Sequence, residues 1–364
     1  MKTLYKIFLS TVFTLVVGGV LMAGNPDRQG QAGAAELLLN PWARSAGLHS
    51  MNTSTVSGIE AMRLNIAGLS RLNNKELVIA NARLYEGSDV SMSALGYGNK
   101  IGTNGSFGVT ITSMNFGDIP ITTENRPEGT GGTFSPSFFN MGLGYSYLYD
   151  NKVSVGLLVR AVSESLADAS AFGFAIDAGV QYVAGDQDNF RLGISLRNVG
   201  SSMSFSGEGL AFSAPSSNGD FEITTTQRAQ EFEMPSTLNI GLSYDFYFGG
   251  NNVVVADDTE NPRKAREFVL RAIGNFTSNA FSRDQIGVGA EFIFNDMFFL
   301  RAAYREEIGG ESAIQDNVYT GLSFGGSVEI PFTQAGSNRI GLDYAYRTTD
   351  PFEGSHNFSI RLLF

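Results

Sequence analysis

The sequence contains no cysteine. That excludes disulfides, thiolate metal sites and thiol catalysis, and a lipid anchor on an N-terminal cysteine. Two histidines, one tryptophan and ten prolines occur in 364 residues. Positive charge is scarce: 25 Lys and Arg stand against 36 Asp and Glu, for a formal net charge of −11. A nucleic-acid binder needs a basic footprint, so no nucleic-acid partner is expected. Long apolar runs are missing as well. Only Ile7 to Met22 forms one, and nothing later reaches the roughly 18 apolar residues that a membrane helix needs.

Glycine and phenylalanine are abundant. The 43 glycines make up about 12% of the chain, against a usual ~7%. There are 28 Phe, and only 17% of residues are charged. This profile suits a β-rich chain with many tight turns and much apolar surface to place.

Residues 1–23 read as an address. Lys2 and Lys6 precede the apolar stretch, and Leu21-Met22-Ala23 offers small-residue cleavage, the layout of a secretory signal peptide. The competing reading is a single anchoring helix, but the stretch is short and no basic stop-transfer cluster follows. Cleavage removes two Lys and no acid, so the net charge falls from −11 to −13.

From about Glu76 the pattern has period two. Phe190, Leu192, Ile194 and Leu196 alternate with Arg191, Gly193, Ser195 and Arg197. Leu238 to Phe246, Ile340 to Tyr346 and Phe358 to Phe364 repeat the pattern. Each such strand has one apolar face and one polar or glycine face. Fourteen segments are predicted, near 76–84, 89–101, 105–116, 137–149, 152–165, 171–184, 190–200, 236–249, 266–277, 284–295, 297–307, 318–332, 338–348 and 354–364. Most exceed the ~5–6 residues of soluble strands and match the ~9–11 tilted residues of a membrane crossing. Connections after the second, fourth, sixth, tenth and twelfth strands are short. Those at 117–136 and 201–235 are long. Short turns on one side and long loops on the other are the layout of an outer-membrane barrel; the connection at 250–265 is longer than that rule wants. An even strand number puts both chain ends on the periplasmic side.

Fourteen strands enclose a lumen too wide for side chains to fill. An inward apolar face would leave a void, whereas an outward one meets lipid, and closure leaves no unpaired edge. The inner face then carries Arg160, Asp177, Arg191, Arg197, Asp245, Glu291, Arg301, Asp343, Arg347 and Arg361, a mixed set able to pair across the lumen. Aromatic residues such as Tyr145, Tyr147, Phe246 and Phe294 fall near strand ends, where interfacial girdles sit. The competing fold is a secreted β-sandwich. Phe364 ends an alternating last strand and resembles the C-terminal signal read by the barrel insertion machinery.

Residues 24–75 are not strand-like. Gly24 to Gly33 reads as a flexible leader. Ile59, Met62, Ile66 and Leu69 recur at helical spacing over 54–72. A segment of this size ahead of a wide barrel folds inside as a plug or hangs as a periplasmic tail; the plug is preferred, since an open lumen would leak.

Gly321-Leu322-Ser323-Phe324-Gly325 fits the hydrolase GxSxG pattern, but that motif needs a strand–turn–helix elbow and here sits inside a strand, so no enzyme is expected. His49 and His356 lack metal-ligand spacing and are read as loop or surface residues. Asp186-Gln187-Asp188-Asn189 and Asp257-Asp258-Thr259-Glu260 are read as solvated turns rather than calcium loops. No cofactor is implied. The long loops are the binding candidates: Ile119, Pro120, Ile121, Pro127 and Phe134 in one, Phe205 and Phe212 in the other. Each packs on its own barrel or on a partner.

Leu64-Asn65-Ile66-Ala67-Gly68-Leu69 resembles the Asn-Pro-Ala-Gly plug motif of the FadL-like outer-membrane superfamily, with Asn65, Ala67 and Gly68 in place and Ile66 where the family has Pro. Asn40-Pro41-Trp42-Ala43-Arg44, Asn115-Phe116-Gly117-Asp118-Ile119-Pro120 and Arg197-Asn198-Val199-Gly200 resemble the PorV/PorQ family of Bacteroidota. The likeness runs through nearly all of the chain after residue 23. It implies a 14-stranded antiparallel transmembrane barrel (residues 76–364) with an N-terminal plug segment (residues 24–75) in the outer membrane. It also implies a non-catalytic shuttle in type IX secretion, whose partners are the translocon and cargo C-terminal signal domains. The alternative is FadL-like transport of hydrophobic small molecules, for which Gly287 and Gly289 could mark weakened strand pairing or make room for the plug. A general porin is the third reading.

Overall fold

The computed structural model describes residues 24–185, 187–215, 219, 221–248, 253–254, 264–265, 267–309, 317–332, 338–350 and 352–364. Residues 1–23, read as a signal peptide, Asp186, 257–260 and the expected turn at 333–337 lie outside the described residues.

Fourteen strands close a barrel. They are β1 (Lys75–Arg83), β2 (Ser91–Ile101), β3 (Gly105–Asn115), β4 (Ser137–Tyr149), β5 (Val153–Leu166), β6 (Ala169–Ala184) and β7 (Phe190–Gly200). The second half is β8 (Thr237–Phe248), β9 (Phe268–Asn279), β10 (Gln285–Phe294), β11 (Phe298–Glu307), β12 (Gly321–Pro331), β13 (Arg339–Arg347) and β14 (Ser355–Leu363). Every strand pairs antiparallel with its neighbours in sequence, and β1 closes on β14 with Leu77 opposite Leu362 and Ile79 opposite Ile360. The predicted segments differ from these by at most a few residues at each end.

Alternation sets the faces. On β1, Val78, Ala80 and Ala82 are buried inward while Ile79 is 54% exposed outward. Leu157, Val288 and Leu300 stand outward at 62%, 63% and 64% exposure. Such a surface is costly in water and at home in lipid. Among the described residues no helix is long and apolar enough to cross a membrane; this barrel crosses with strands. Phe268, Phe294 and Phe298 stack at the periplasmic rim, with ring centroids 4.9 and 6.2 Å apart. One irregularity interrupts the wall. Between β6 and β7 the register shifts at Asp177, where both Arg197 and Asn198 turn inward, and Asn198 takes φ 57°. That is a β-bulge.

With strands ~4.8 Å apart and tilted ~40°, fourteen of them enclose a backbone cylinder roughly 28 Å across. Residues 34–72 fill it. They form short pieces: Ala35–Leu38, Ala43–Ala46, Gly58–Glu60, Ala61–Leu64 and Ile66–Arg71. The helical spacing read over 54–72 corresponds to three short helical pieces rather than one continuous helix. Asn65 breaks it at φ −148°, ψ 100°, because its side chain is used twice. Nδ2 donates to Thr53 O and Val180 O at 3.0 Å each, and Oδ1 accepts from Ala67 N–H at 3.2 Å.

The path of the plug corrects two further expectations. β1 begins and β14 ends on the periplasmic side, but Gly24 sits at the opposite mouth. Asn25 N–H donates to Asn279 O at the outer end of β9. The leader is not loose either: Gly33 N–H donates to Glu233 O at 3.0 Å, and Arg28 pairs with Glu233 at 2.6 Å. Strand number fixes where the strands end and says nothing of a segment threaded through the lumen.

Candidate functional site

The plug seats on glycines that point inward. An added Cβ at Gly156 on β5 would lie 2.9 Å from the Ile66 carbonyl carbon, and one at Gly193 on β7 would lie 2.6 Å from Ser54 Cα. Both meet plug backbone, which cannot swing aside. Gly287 and Gly289 belong to the same set: they face Met51 and Leu48 of the plug, so they make room for it, and β10 pairs fully with both neighbours. Of the plug motif, Asn65 ties plug to wall as described, Ala67 supplies the capped N–H, and Gly68 lies against Val56 O. Ile66 packs on Gly144 and Gly156.

Polar groups of the inner face are used in pairs. On the periplasmic half a ladder of alternating sign crosses the strands. Asp245 takes Arg191 at 3.2 Å and Arg271 at 2.6 Å. Glu291 takes Arg271 at 2.8 Å and Arg301 at 2.6 Å, and Arg361 holds Asp343 at 2.7 Å and Glu329 at 2.6 Å. Closer to the outer mouth Arg160 pairs with Asp177 at 2.8 Å and donates to Met62 O of the plug at 3.2 Å. Asp177 also accepts from Asn198 N–H at the bulge at 2.6 Å. Arg63 reaches Leu39 O at 2.8 Å and Glu36 O at 2.5 Å, and Arg197 reaches Leu37 O at 3.1 Å. Cations of wall and plug thus cap the carbonyls of a segment too irregular to satisfy its own.

Above this polar layer lies a packed apolar cluster. Ala34 and Leu37 of the plug, Val162 of β5, Ala171 and Ala175 of β6, and Met203 and Met234 of the 201–235 loop form one buried cluster, with Phe205 and Phe232 against it. The two rings sit 5.7 Å apart. Met203 and Phe232 exchange backbone hydrogen bonds of 2.9 and 2.8 Å, which draw the two ends of the loop together over the mouth. Glu36, next to Leu37 of this cluster, is 2% exposed. Burial, then the charge of Glu164, pushes its carboxyl up to about 8, so it is protonated at neutral pH.

The predicted loop residues divide. Phe205 is partly buried and packs against the apolar cluster. Ile119 and Pro120 pair with Phe134 and Thr133 in a two-residue ribbon. Ile119, Pro120, Ile121, Pro127 and Phe212 remain exposed, and Phe134 is half-buried. Phe364 is 42% exposed, with its N–H donating to Lys75 O at 2.9 Å. Ser323 lies in β12 and donates to Gly47 O of the plug at 3.1 Å; no elbow is formed, and the GxSxG segment is a docking stretch. His49 corrects its reading as a surface group. It is 1% exposed, and burial first, then Arg305 and Arg347, holds its imidazole far below the ordinary range. His356 sits at the outer rim, 3.3 Å from Glu86. Asp188 pairs with Lys152 at 3.0 Å. Among the described residues no group of three His, Cys, Asp or Glu is placed to hold a metal. The apolar cluster itself was missed. Its members come from 34 to 234 in sequence, and only the apolar content of the 201–235 loop hinted at it.

No family model and no curated protein matches the chain. Solved structures do. The toluene transporter TodX of Pseudomonas putida aligns over 89% of this chain and 97% of its own, at 15% identity and a TM-score of 0.54. A FadL homologue of Pseudomonas aeruginosa aligns over 89% and 97% at 11% identity, with a TM-score of 0.47. Taken with the closed ring of fourteen strands, the first of these likenesses shows what the fold is: a fourteen-stranded outer-membrane β-barrel like that of TodX.

Proposed function

We propose that this barrel takes up a hydrophobic small molecule through its outer mouth. The observation that carries the reading is the buried apolar cluster of Met203, Met234 and Leu37 with Phe205 and Phe232 packed against it. It joins one outer loop to the plug and wall, and a guest would enter by parting these side chains. Methionine and phenylalanine there suit a variable apolar guest, because the thioether adapts its shape and packs on rings. Similarity of fold to a toluene transporter supports the same reading. The plug occupies the lumen, so a guest bound at this cluster advances by displacing plug side chains. The only tryptophan, Trp42, is 1% exposed within the plug and reports on that displacement. Purified barrel in detergent is titrated with toluene and with a long-chain fatty acid while Trp42 emission is followed. Saturable binding that Met203→Ser with Phe232→Ser weakens at least tenfold is the expected result. Absence of saturable binding by either compound refutes the reading.

A second reading rests on different residues. Ile119, Pro120, Ile121, Pro127 and Phe212 stay exposed on the outer side, as a protein-binding rim would require. The segments that resemble the PorV/PorQ family include this loop. In that reading the sealed barrel is a non-catalytic scaffold that receives cargo signal domains or the type IX translocon. Deleting 119–134 then abolishes their co-purification while the barrel still inserts; unchanged capture counts against it.

A further inference from the structure

The outer loop 201–235 carries a two-stranded ribbon, Ala211–Pro215 paired with Glu222–Thr226. Phe212 stands opposite Thr225, and Ala214 opposite Ile223, so these four share one face. Phe212 is 50% exposed and Ile223 45%, and Phe221, just before the second strand, is 62% exposed. A lone ribbon of two strands gains stability by covering such a face. Nothing in the described part of the chain covers it.

Charge selects the occupant. Among its described residues this loop exposes Glu208, Glu222 and Glu231 against Arg228, while Glu233 is paired with Arg28. Asp168 lies beside Gly207 and Gly209. The neighbouring loop exposes Asp118, Glu124 and Glu128 against Arg126. On the periplasmic side the described turns balance, with Lys75, Lys100, Lys152 and Arg339 against Asp150, Asp188, Glu267 and Asp296. Among the described residues the acidic excess therefore lies on the outer side. A second copy of this chain would bring the same sign of charge, and so would an anionic lipid surface. Like charges across an interface oppose docking.

We propose that the apolar face of the 211–226 ribbon, with its acidic surround, docks an extended polypeptide segment that alternates basic and apolar side chains. Alternation matches the ribbon because side chains on an extended segment point to opposite faces every residue. The apolar set covers Phe212, Phe221 and Ile223, and the basic set reaches the flanking glutamates. The free edges of the ribbon supply main-chain partners for an added strand. This inference stands apart from the uptake reading, and the experiment below involves no hydrophobic small molecule.

The test uses the full-length barrel in detergent and two synthetic peptides of about ten residues, alternating Lys-Val and Glu-Val, long enough at ~3.3 Å per residue to span the ribbon. Binding is read by fluorescence anisotropy. The expected result is that Lys-Val binds and Glu-Val does not. Raising the salt from about 0.05 M to 0.5 M weakens binding several-fold, as screening requires. The triple variant Phe212→Ser, Phe221→Ser, Ile223→Thr binds at least tenfold more weakly. All three positions are exposed, and heat-modifiable gel mobility verifies that the variant barrel is folded. Equal binding by wild type and triple variant overturns the proposal, because the attraction would then be charge alone. So does binding of Glu-Val, or of neither peptide. Wild-type self-association, or adhesion to vesicles containing anionic lipid, that the triple variant abolishes would assign the face to a second copy or to membrane instead and also overturns it.

Discussion

If the plug is held by close approach to inward glycines, a side chain grafted onto the wall should eject it without unmaking the barrel. The sharpest perturbation is the double substitution Gly156→Val and Gly193→Val. At the first site the new Cβ lies 2.9 Å from the Ile66 carbonyl carbon and 3.0 Å from Ala67 N. At the second it lies 2.6 Å from Ser54 Cα and 2.7 Å from Ser54 N. Overpacking of a well-filled interior costs about 1–3 kcal/mol per site. The two sites press on different stretches of plug, from β5 and β7, so their effects add to about 2–6 kcal/mol. Because ~1.4 kcal/mol is a factor of ten, the population with the plug displaced rises roughly thirtyfold to ten-thousandfold. Strand pairing is untouched, and valine favours strands.

The assay is conductance of the purified protein in planar bilayers. Wild type is silent, and the double variant shows openings through a lumen lined by Arg160, Asp177, Asp245 and Arg271. The control is Gly274→Val, the same exchange on β9 but on the lipid face, where nothing lies within 4 Å of the added Cβ. It stays silent. Each protein is first shown to be folded by heat-modifiable mobility. A folded double variant as silent as wild type, or a control that conducts equally, would refute the claim that glycine contacts seat the plug.

Other outcomes follow from the buried charges. The Glu36 carboxyl rises from its ordinary value near 4.5 to about 8 in the folded chain, so the native state binds more proton than the unfolded one between those values. Stability then falls as pH rises through that window, by up to ~1.4 kcal/mol per unit; Glu36→Gln should raise the thermal midpoint at pH 9 and leave it little changed at pH 4. Removing Asp177 by Asp177→Leu leaves Arg160, whose side chain is 2% exposed, without its counter-charge, and should cost about 3–5 kcal/mol. Adding Arg160→Met should recover much of that loss in the same unfolding measurement. Ser323→Ala removes a hydrogen bond to Gly47 worth about 1 kcal/mol, and neither it nor wild type should hydrolyse a nitrophenyl ester.

What the sequence disclosed follows the range of each interaction. Strand positions were legible because alternation is local: in Phe190 to Arg197 each residue declares its face through its own chemistry, and hydrogen bonds to the next strand need no side chain. The outward apolar face was legible by elimination, since fourteen strands cannot fill their own lumen. The plug was legible in existence and not in path. Residues 54–72 are buried on every side, so helical spacing lost its usual meaning, and one side-chain amide, Asn65, redirected the backbone by hydrogen bonds to Thr53 and Val180. Glycines such as Gly156 and Gly193 read only as members of the face opposite the apolar one, because a glycine is informative when the atom that approaches it is known. His49 misled for the same reason: Arg305 and Arg347 reach it from β11 and β13, more than two hundred and fifty positions away. The outer cluster needs three such distant approaches at once, from the leader, the β5–β6 wall and the 201–235 loop. The two proposed activities differ in which part of the loop is used: Met203 and Phe232 pack against plug and wall, and Phe212 and Ile223 are exposed. Substituting one pair while measuring both small-molecule and protein binding separates them, because the two pairs lie on different stretches of the loop and share no atoms.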